Sequence, residues 1–467
     1  MKSDKKNKQG GMSPVESRAA FSLAGIFSLR MLGLFMILPV FALYAEQLQG
    51  VTPVLVGVAI GVYGLTQAIL QIPFGMLSDR IGRKPVIIGG LLIFALGSVV
   101  AAMADSIWGV IFGRALQGSG AIAAAVMALA ADLTREQNRL RVMAVIGMSI
   151  GFAFALSLVM GPILNAVIGV PGIFWLTSVL ALAGIFIVVK LVPDPSESHF
   201  HRDTEPVPGM FGQVLRNTNL LRLDIGIFIL HMILTATFIA MPLALRDAAG
   251  LAGESHWMVY LPVLLLAMVL MVPFVVIAEK RRKMKGVFLG SVAAIVLAQL
   301  GFAGLHQSVF GIGIALLLYF TAFNVLEATL PSLIAKMAPA ESKGTAMGVY
   351  STSQFIGAFL GGLIGGWVYT HFQLQGVFLF GAAATLVWLL VAAGMKKPDY
   401  FSSYLVKVGE MDEAQAWELQ AELQAMEGVG DVSVVGHEGM AYMKVDPQVV
   451  DYEALEKFSV DGQSAVD

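Results

Sequence analysis

The chain has 467 residues, of which 57% are apolar and only 13% charged, with 30 basic against 32 acidic side chains and no cysteine. A charged fraction so far below the roughly one quarter usual in soluble domains excludes an ordinary globular enzyme and points to a membrane protein. The absence of cysteine excludes disulfides, thiolate catalysis and cysteine-ligated metal.

A bilayer offers no water to satisfy backbone N–H and C=O groups, so each crossing must be a helix of about 20 apolar residues or part of a closed barrel. The long unbroken apolar runs predict twelve helices, at about 19–44, 54–78, 85–103, 107–131, 142–168, 172–192, 222–246, 256–278, 286–305, 309–335, 344–370 and 375–395. The first run is about 26 residues long and contains Arg30, so a permanent helix is expected there rather than a cleaved leader. An even number of spans puts both ends of the bundle on one side. One set of span ends holds Lys2, Lys5, Lys6, Lys8, Arg80, Arg83, Lys84, Arg135, Arg139, Arg141, the run Lys280 to Lys285, Lys336, Lys343, Lys396 and Lys397, whereas the other holds only Arg246. Basic residues stay on the cytoplasmic side, so both termini are expected there.

A polar stretch, "PDPSESHFHRDTEPVPG" (Pro193 to Gly209), follows the sixth span. The chain therefore divides into a six-helix half over residues 1–192, a linker over 193–218 and a second half over 219–397. His199 and His201 in the linker form an H-x-H, which fits a solvated linker better than a metal site. No phosphate-binding Gly-x-x-x-x-Gly-Lys-Ser/Thr motif is present, so nothing suggests nucleotide-driven pumping, and neither a cofactor nor nucleic acid is expected.

The halves repeat one another. "PFGMLSDR" (Pro73 to Arg80) matches "PFVVIAEK" (Pro273 to Lys280) at an offset of 200, pairing Asp79 with Glu279. Further along, an offset of 204 pairs Ala131 with Ala335, Arg139 with Lys343 and Gly161 with Gly365. Two related six-helix bundles are a design of secondary transporters, with the substrate site between them near the midplane.

After the last span the composition changes. Residues 399–467 hold fifteen acids and three bases, a net of −12, whereas residues 1–398 hold 27 bases and 17 acids, a net of +10. Residues 398–467 are expected to form a separate soluble domain. "YLVKV", "DVSVV" and "MAYMKVD" are predicted strands, with "GHEG" as a turn. Met411 to Met426 is a predicted amphipathic helix with the stripe Ala416, Leu419, Leu423 and Met426, and a last helix carries Tyr452, Leu455 and Phe458. This βαββα order, with room for a last strand, suggests a ferredoxin-like sandwich. The tail is similar to heavy-metal-associated domains, but the loop about Gly409 to Glu413 lacks their Cys-x-x-Cys, so soft-metal binding is not expected. Opposite charges would let the tail dock on the basic loops, or it could join a second copy of the chain.

"GMLSDRIGRK" (Gly75 to Lys84), between the second and third spans, resembles the signature of the major facilitator superfamily. "LGLFMILPV" (Leu32 to Val40) and Arg114 in "RALQGSG" are similar to motifs of that superfamily's drug-proton antiporters. Gly161-Pro162 resembles the core of the antiporter motif, although Ser157 replaces an expected Gly and Asn165-Ala166 replace a Gly-Gly pair. The resemblance implies an all-α fold of twelve spans in a bacterial inner membrane, with Gly75, Asp79, Arg80, Gly82, Arg83 and Lys84 acting as a conformational latch. It further implies that Asp79 faces the N–H groups of Gly344 to Met347 when the cytoplasmic side is shut, with Gly75 allowing that helix to approach. By the same resemblance, Arg83 reaches Asp132.

Charges inside spans cost roughly 2.5–3.5 kcal/mol each, so each is a functional candidate. They are Arg30, Arg114, Glu327 and His231. Glu327 is either a proton carrier or the permanent partner of Arg30 or Arg114. His231 is either a hydrogen-bonded helix residue or a relay. Gly357, Gly361 and Gly365 place small residues on one face of the eleventh span, which permits a tight crossing. Gly161 and Pro162 are expected to bend the fifth span. Three functions fit: proton-coupled efflux of a small molecule, uptake or facilitated diffusion of a nutrient, and a membrane receptor signalling through its tail.

Overall fold

The structure, a computed structural model, describes residues 11–194, 207–339, 342–396, 401–446 and 448–460. His199 and His201 lie outside the described residues. The first span is made of α1 (Pro14–Phe35) and α2 (Phe41–Ala45), and it starts about five residues earlier than hydropathy predicts. The earlier start is set by polar chemistry: Ser13 and Glu16 form a reciprocal capping box around Pro14. The second and third spans are α3 (Pro53–Ile81) and α4 (Arg83–Ala102). The fourth is interrupted, as α5 (Ile107–Ser119) and α6 (Ala123–Asp132), where Gly120 comes so close to the Gly90 carbonyl that a β-carbon would collide.

Spans five and six form one continuous element, α7 (Glu136–Lys190), divided by non-helical backbone at Gly169, φ 67°. The interruption falls in the gap that hydropathy predicts between the fifth and sixth spans, and Pro162 lies inside the helix before it. The second half follows as α8 (Phe211–Arg216), α9 (Thr218–Leu243), α10 (Trp257–Lys280), α11 (Met284–Leu305) and α12 (Val309–Met337). α9 continues into a π-helical turn at Ala244–Ala248. Spans eleven and twelve are α13 (Lys343–Ala393), divided at Gln373, φ 55°. Among the described residues ten apolar helices are long enough to cross a bilayer, and two of these stretches, Arg141–Lys190 within α7 and Lys343–Ala393, are 50 and 51 residues long. At about 1.5 Å per residue these would be more than twice the roughly 30 Å hydrocarbon core, so each supplies two crossings. Gly169 and Gln373 differ by 204 positions, the same offset that relates the halves.

The tail folds as β1 (Ser402–Lys407), α14 (Glu413–Gln424), β2 (Val429–Val435), β3 (Met440–Val445) and α15 (Tyr452–Glu456). The antiparallel sheet has the order β1-β3-β2, with Tyr404 and Val432 on either side of Met443, consistent with a ferredoxin-like domain. The space for a last strand falls after residue 460, outside the described residues. Ala441, Met443 and Val445 face a core shared with Leu423 and Leu455. Strand alternation therefore turns Lys444 to the other face of the sheet. There its ammonium donates to the Ala335 carbonyl at the end of α12, while Arg282 Nη2 meets Asp446 Oδ1 at 2.7 Å. The sheet thus rests on the second half, and Arg282 holds the Asp446 carboxyl below the usual carboxylate range.

Candidate functional site

The loop between α3 and α4 is organised around Arg83. Gly82, φ 94°, makes the left-handed turn that ends α3 and lets α4 begin at once with Arg83. The Arg83 guanidinium folds back to Ser78 Oγ at 2.8 Å and to Asp79, and its Nε donates to Asp132 Oδ2 at 3.2 Å. The side chains of Arg83 and Asp132 are 3% and 0% exposed, which seals this pair away from water. Lys84 meets Asp194 Oδ1 at 2.5 Å and the Val192 carbonyl at 2.8 Å, while Arg80 is exposed. Asp79 bonds Arg83 with its side chain 36% exposed, and among the described residues no hydrogen bond joins it to Gly344 through Met347. Gly75 does not admit the eleventh span here either. A β-carbon on it would sit 3.1 Å from Ala124 of α6, within its own half.

The second copy of this loop solves the same problem differently. Glu279, matching Asp79, accepts Lys336 Nζ at 2.8 Å and Ser332 Oγ at 2.7 Å. Arg282, matching Gly82, keeps a positive φ of 52°. These positions therefore carry specific contacts and are not merely a basic loop.

The charges within the spans segregate by half. Arg30 donates to Tyr63 Oη and Gln67 Oε1, both at 2.6 Å, and its guanidinium packs on Tyr63 and Phe94. Arg114 meets Gln117 Oε1 at 2.7 Å and also packs on the Tyr63 ring. Neither is the partner of Glu327, which corrects that alternative: the hydrogen bonds that both arginines make go to groups of the first half. Glu327 Oε1 lies 3.7 Å from His231 Nδ1, and His231 Nε2 is 2.8 Å from Gln354 Nε2. Next to this pair, Phe323 contacts His231 and stacks on Phe154 of the first half, and Phe320 also reaches Phe154. Sequence inspection missed Asp224, a 4% exposed carboxylate of α9 whose position near the edge of the seventh span made it look peripheral.

The halves meet along α3 and α13. A β-carbon on Gly57 would strike the Gly362 carbonyl, one on Gly61 would lie 2.8 Å from Phe359, and one on Gly366 would strike the Pro53 carbonyl. The other glycine stripe faces α9, where Gly357, Gly361 and Gly365 contact the backbone at Phe228, Met232 and Ala236. Gly161 packs on the interruption of the first span at Met36 and Pro39, while Ser157 Oγ reaches the Leu32 carbonyl at 3.3 Å.

The Major Facilitator Superfamily profile matches residues 23–362 and 225–411, which covers both bundles. The chain belongs to this superfamily. It is 50% identical to the Escherichia coli inner membrane transport protein YajR over 96% of this chain and 98% of that one. It is also 25% identical to the multidrug resistance protein MdtH of Cronobacter sakazakii, over 72% of this chain and 83% of the relative. Among solved structures, a bacterial homologue of the lysosomal transporter Spinster aligns with a TM-score of 0.66 at 13% identity, covering 82% of this chain and 96% of that one. The human organic anion transporter MFSD10 aligns at 0.60 and 21% identity, covering 81% and 100%. At these identities the two structures speak for the fold alone. The superfamily membership makes this protein a multi-pass membrane transporter.

Proposed function

We propose that the protein exports a small molecule in exchange for protons, by alternating access, with both termini and the tail in the cytoplasm. The observation that carries this is the Glu327 and His231 pair, 3.7 Å apart and partly exposed within the second half, while Arg30 and Arg114 make their hydrogen bonds inside the first half. A carboxylate beside an imidazole can hold one proton at either group, so a neighbouring substrate can displace it. The name of the MdtH relatives supports drug-like cargo. The placement of Lys and Arg at one set of span ends supports the sidedness.

In this scheme Asp79 engages the start of the eleventh span only when the cytoplasmic ends close. The contact of α3 with α13 at the other ends belongs to the opposite state, which is why Asp79 is half-exposed here. The acidic tail is a regulatory or dimerisation module. Truncation after Lys396 tests that role by changing oligomeric state or transport rate.

The altered residues Ser157, Asn165 and Ala166 favour a proton-independent facilitator as the second reading. Proteoliposomes under an imposed pH gradient separate the two. Antiport releases protons on substrate addition and loses that release in Glu327→Gln while substrate exchange persists. A facilitator ignores the gradient, and a receptor moves nothing.

A further inference from the structure

Arg246, the lone base at its set of span ends, is left unexplained by the latch and by the proton site. It sits in the π-helical turn Ala244–Ala248, a local distortion that often marks function. Its Nη1 and Nη2 each donate to Glu46 at 2.7 Å, in a two-pronged pairing with the carboxylate that ends α2 in the other half. Its Nε meets Asp247 Oδ1 at 2.6 Å. Glu46 belongs to the first half and Arg246 to the second, so this two-pronged pair ties the two halves directly to each other. Leu43 beside Gly253 adds an apolar contact between the halves at the same end.

The geometry points to Glu46 and Arg246 as the clasp that closes the Arg246 end of the transporter and weights its two-state equilibrium. They are positioning residues for the transport cycle, whichever group carries the proton. Because Glu46 is 50% and Arg246 35% exposed, the clasp is weak enough to open in each cycle.

The test uses the chain's lack of cysteine. Spin labels at Gln47→Cys and Ala252→Cys, both exposed near the clasp, report the separation of the halves in nanodiscs. Glu46→Gln is expected to reduce the closed population about two- to fivefold, the range that an exposed ion pair supports. Arg246→Gln is expected to reduce it more, because two carboxylates then face each other. The exchange Glu46→Arg with Arg246→Glu keeps one base between two acids and restores the short distance. Reduced closure in both single variants with recovery in the exchange, at unchanged melting temperature, supports the clasp. Unchanged distances in the single variants, or no recovery in the exchange, overturn it.

Discussion

Glu279 accepts Lys336 Nζ at 2.8 Å across the ends of α10 and α12, at the two positions where the first half places the acids Asp79 and Asp132. Two acids cannot pair with each other, so the first half inserts Arg83 between them. The second half exchanges the later acid for Lys336 and closes the contact directly. One repeat thus depends on a buried Arg83 and Asp132 pair that also reaches the exposed Asp79, and the other on a single partly exposed pair.

That difference predicts unequal sensitivity. Arg83→Ala leaves Asp132 charged and buried, a loss expected to cost about 3–5 kcal/mol. Lys336→Ala frees a carboxylate that already reaches water and should cost about 1 kcal/mol or less. Thermal unfolding of the purified variants in detergent measures both. Equal losses would contradict the sealed geometry around Arg83.

Adjacent glycines of α13 should fail in different ways. Gly361→Ala drives a methyl group into the Met232 backbone inside one half, so it should lower the melting temperature through overpacking of about 1–3 kcal/mol. Gly362→Ala meets Gly57 across the two halves. Rocking apart relieves that clash, so this variant should keep most of its stability and populate the state open at the Arg246 end. Melting curves combined with label distances between α3 and α13 distinguish the two.

The seating of the tail should depend on pH only in acid. Arg282 lowers the Asp446 pKa in the docked state, so docking binds fewer protons than the released tail. The pair's stabilisation is therefore complete above the ordinary carboxylate value of about 3.9 and is lost as pH falls through the lower docked value. Label distances between α14 and α11 should stay constant from pH 8 to 5 and broaden only below about pH 4. Asp446→Asn should broaden them at neutral pH.

Arg282 pairs with the tail at the expense of its own backbone. A non-glycine residue in the left-handed region costs about 1–2 kcal/mol, and the matching position in the first half is Gly82. Arg282→Gly is expected to leave the melting temperature of the membrane bundle unchanged or slightly raised while loosening the tail. The same pair of measurements, melting and tail distance, reports both effects.

Much of this architecture is legible in the residues themselves. Apolar runs give the spans, because a bilayer leaves the backbone no alternative, and the offsets of 200 and 204 give the two halves. The tail strands follow from alternation, with small shifts at their ends. Partners across the bundle are not legible. Spacing assigns Gly357, Gly361 and Gly365 to one helix face, but it does not say that the face meets α9, or that Gly362 beside them meets α3. Glu327 stands out as a carboxylate within a span, yet nothing near it in sequence names His231 of α9 as its neighbour. Arg246 is visible as an isolated base. Nothing near it in sequence names Glu46 of the other half as its partner.

The single residues that divide α7 and α13 have a practical consequence. Where spans five and six, and eleven and twelve, change over, the chain spends one non-helical position, Gly169 or Gln373, instead of a loop. Such a join has no slack to absorb an inserted tag or epitope. That face of the molecule is left with few handles for an antibody fragment, chiefly the segments around Gln49 and Leu251, and any binder raised against it will report on the gap between them.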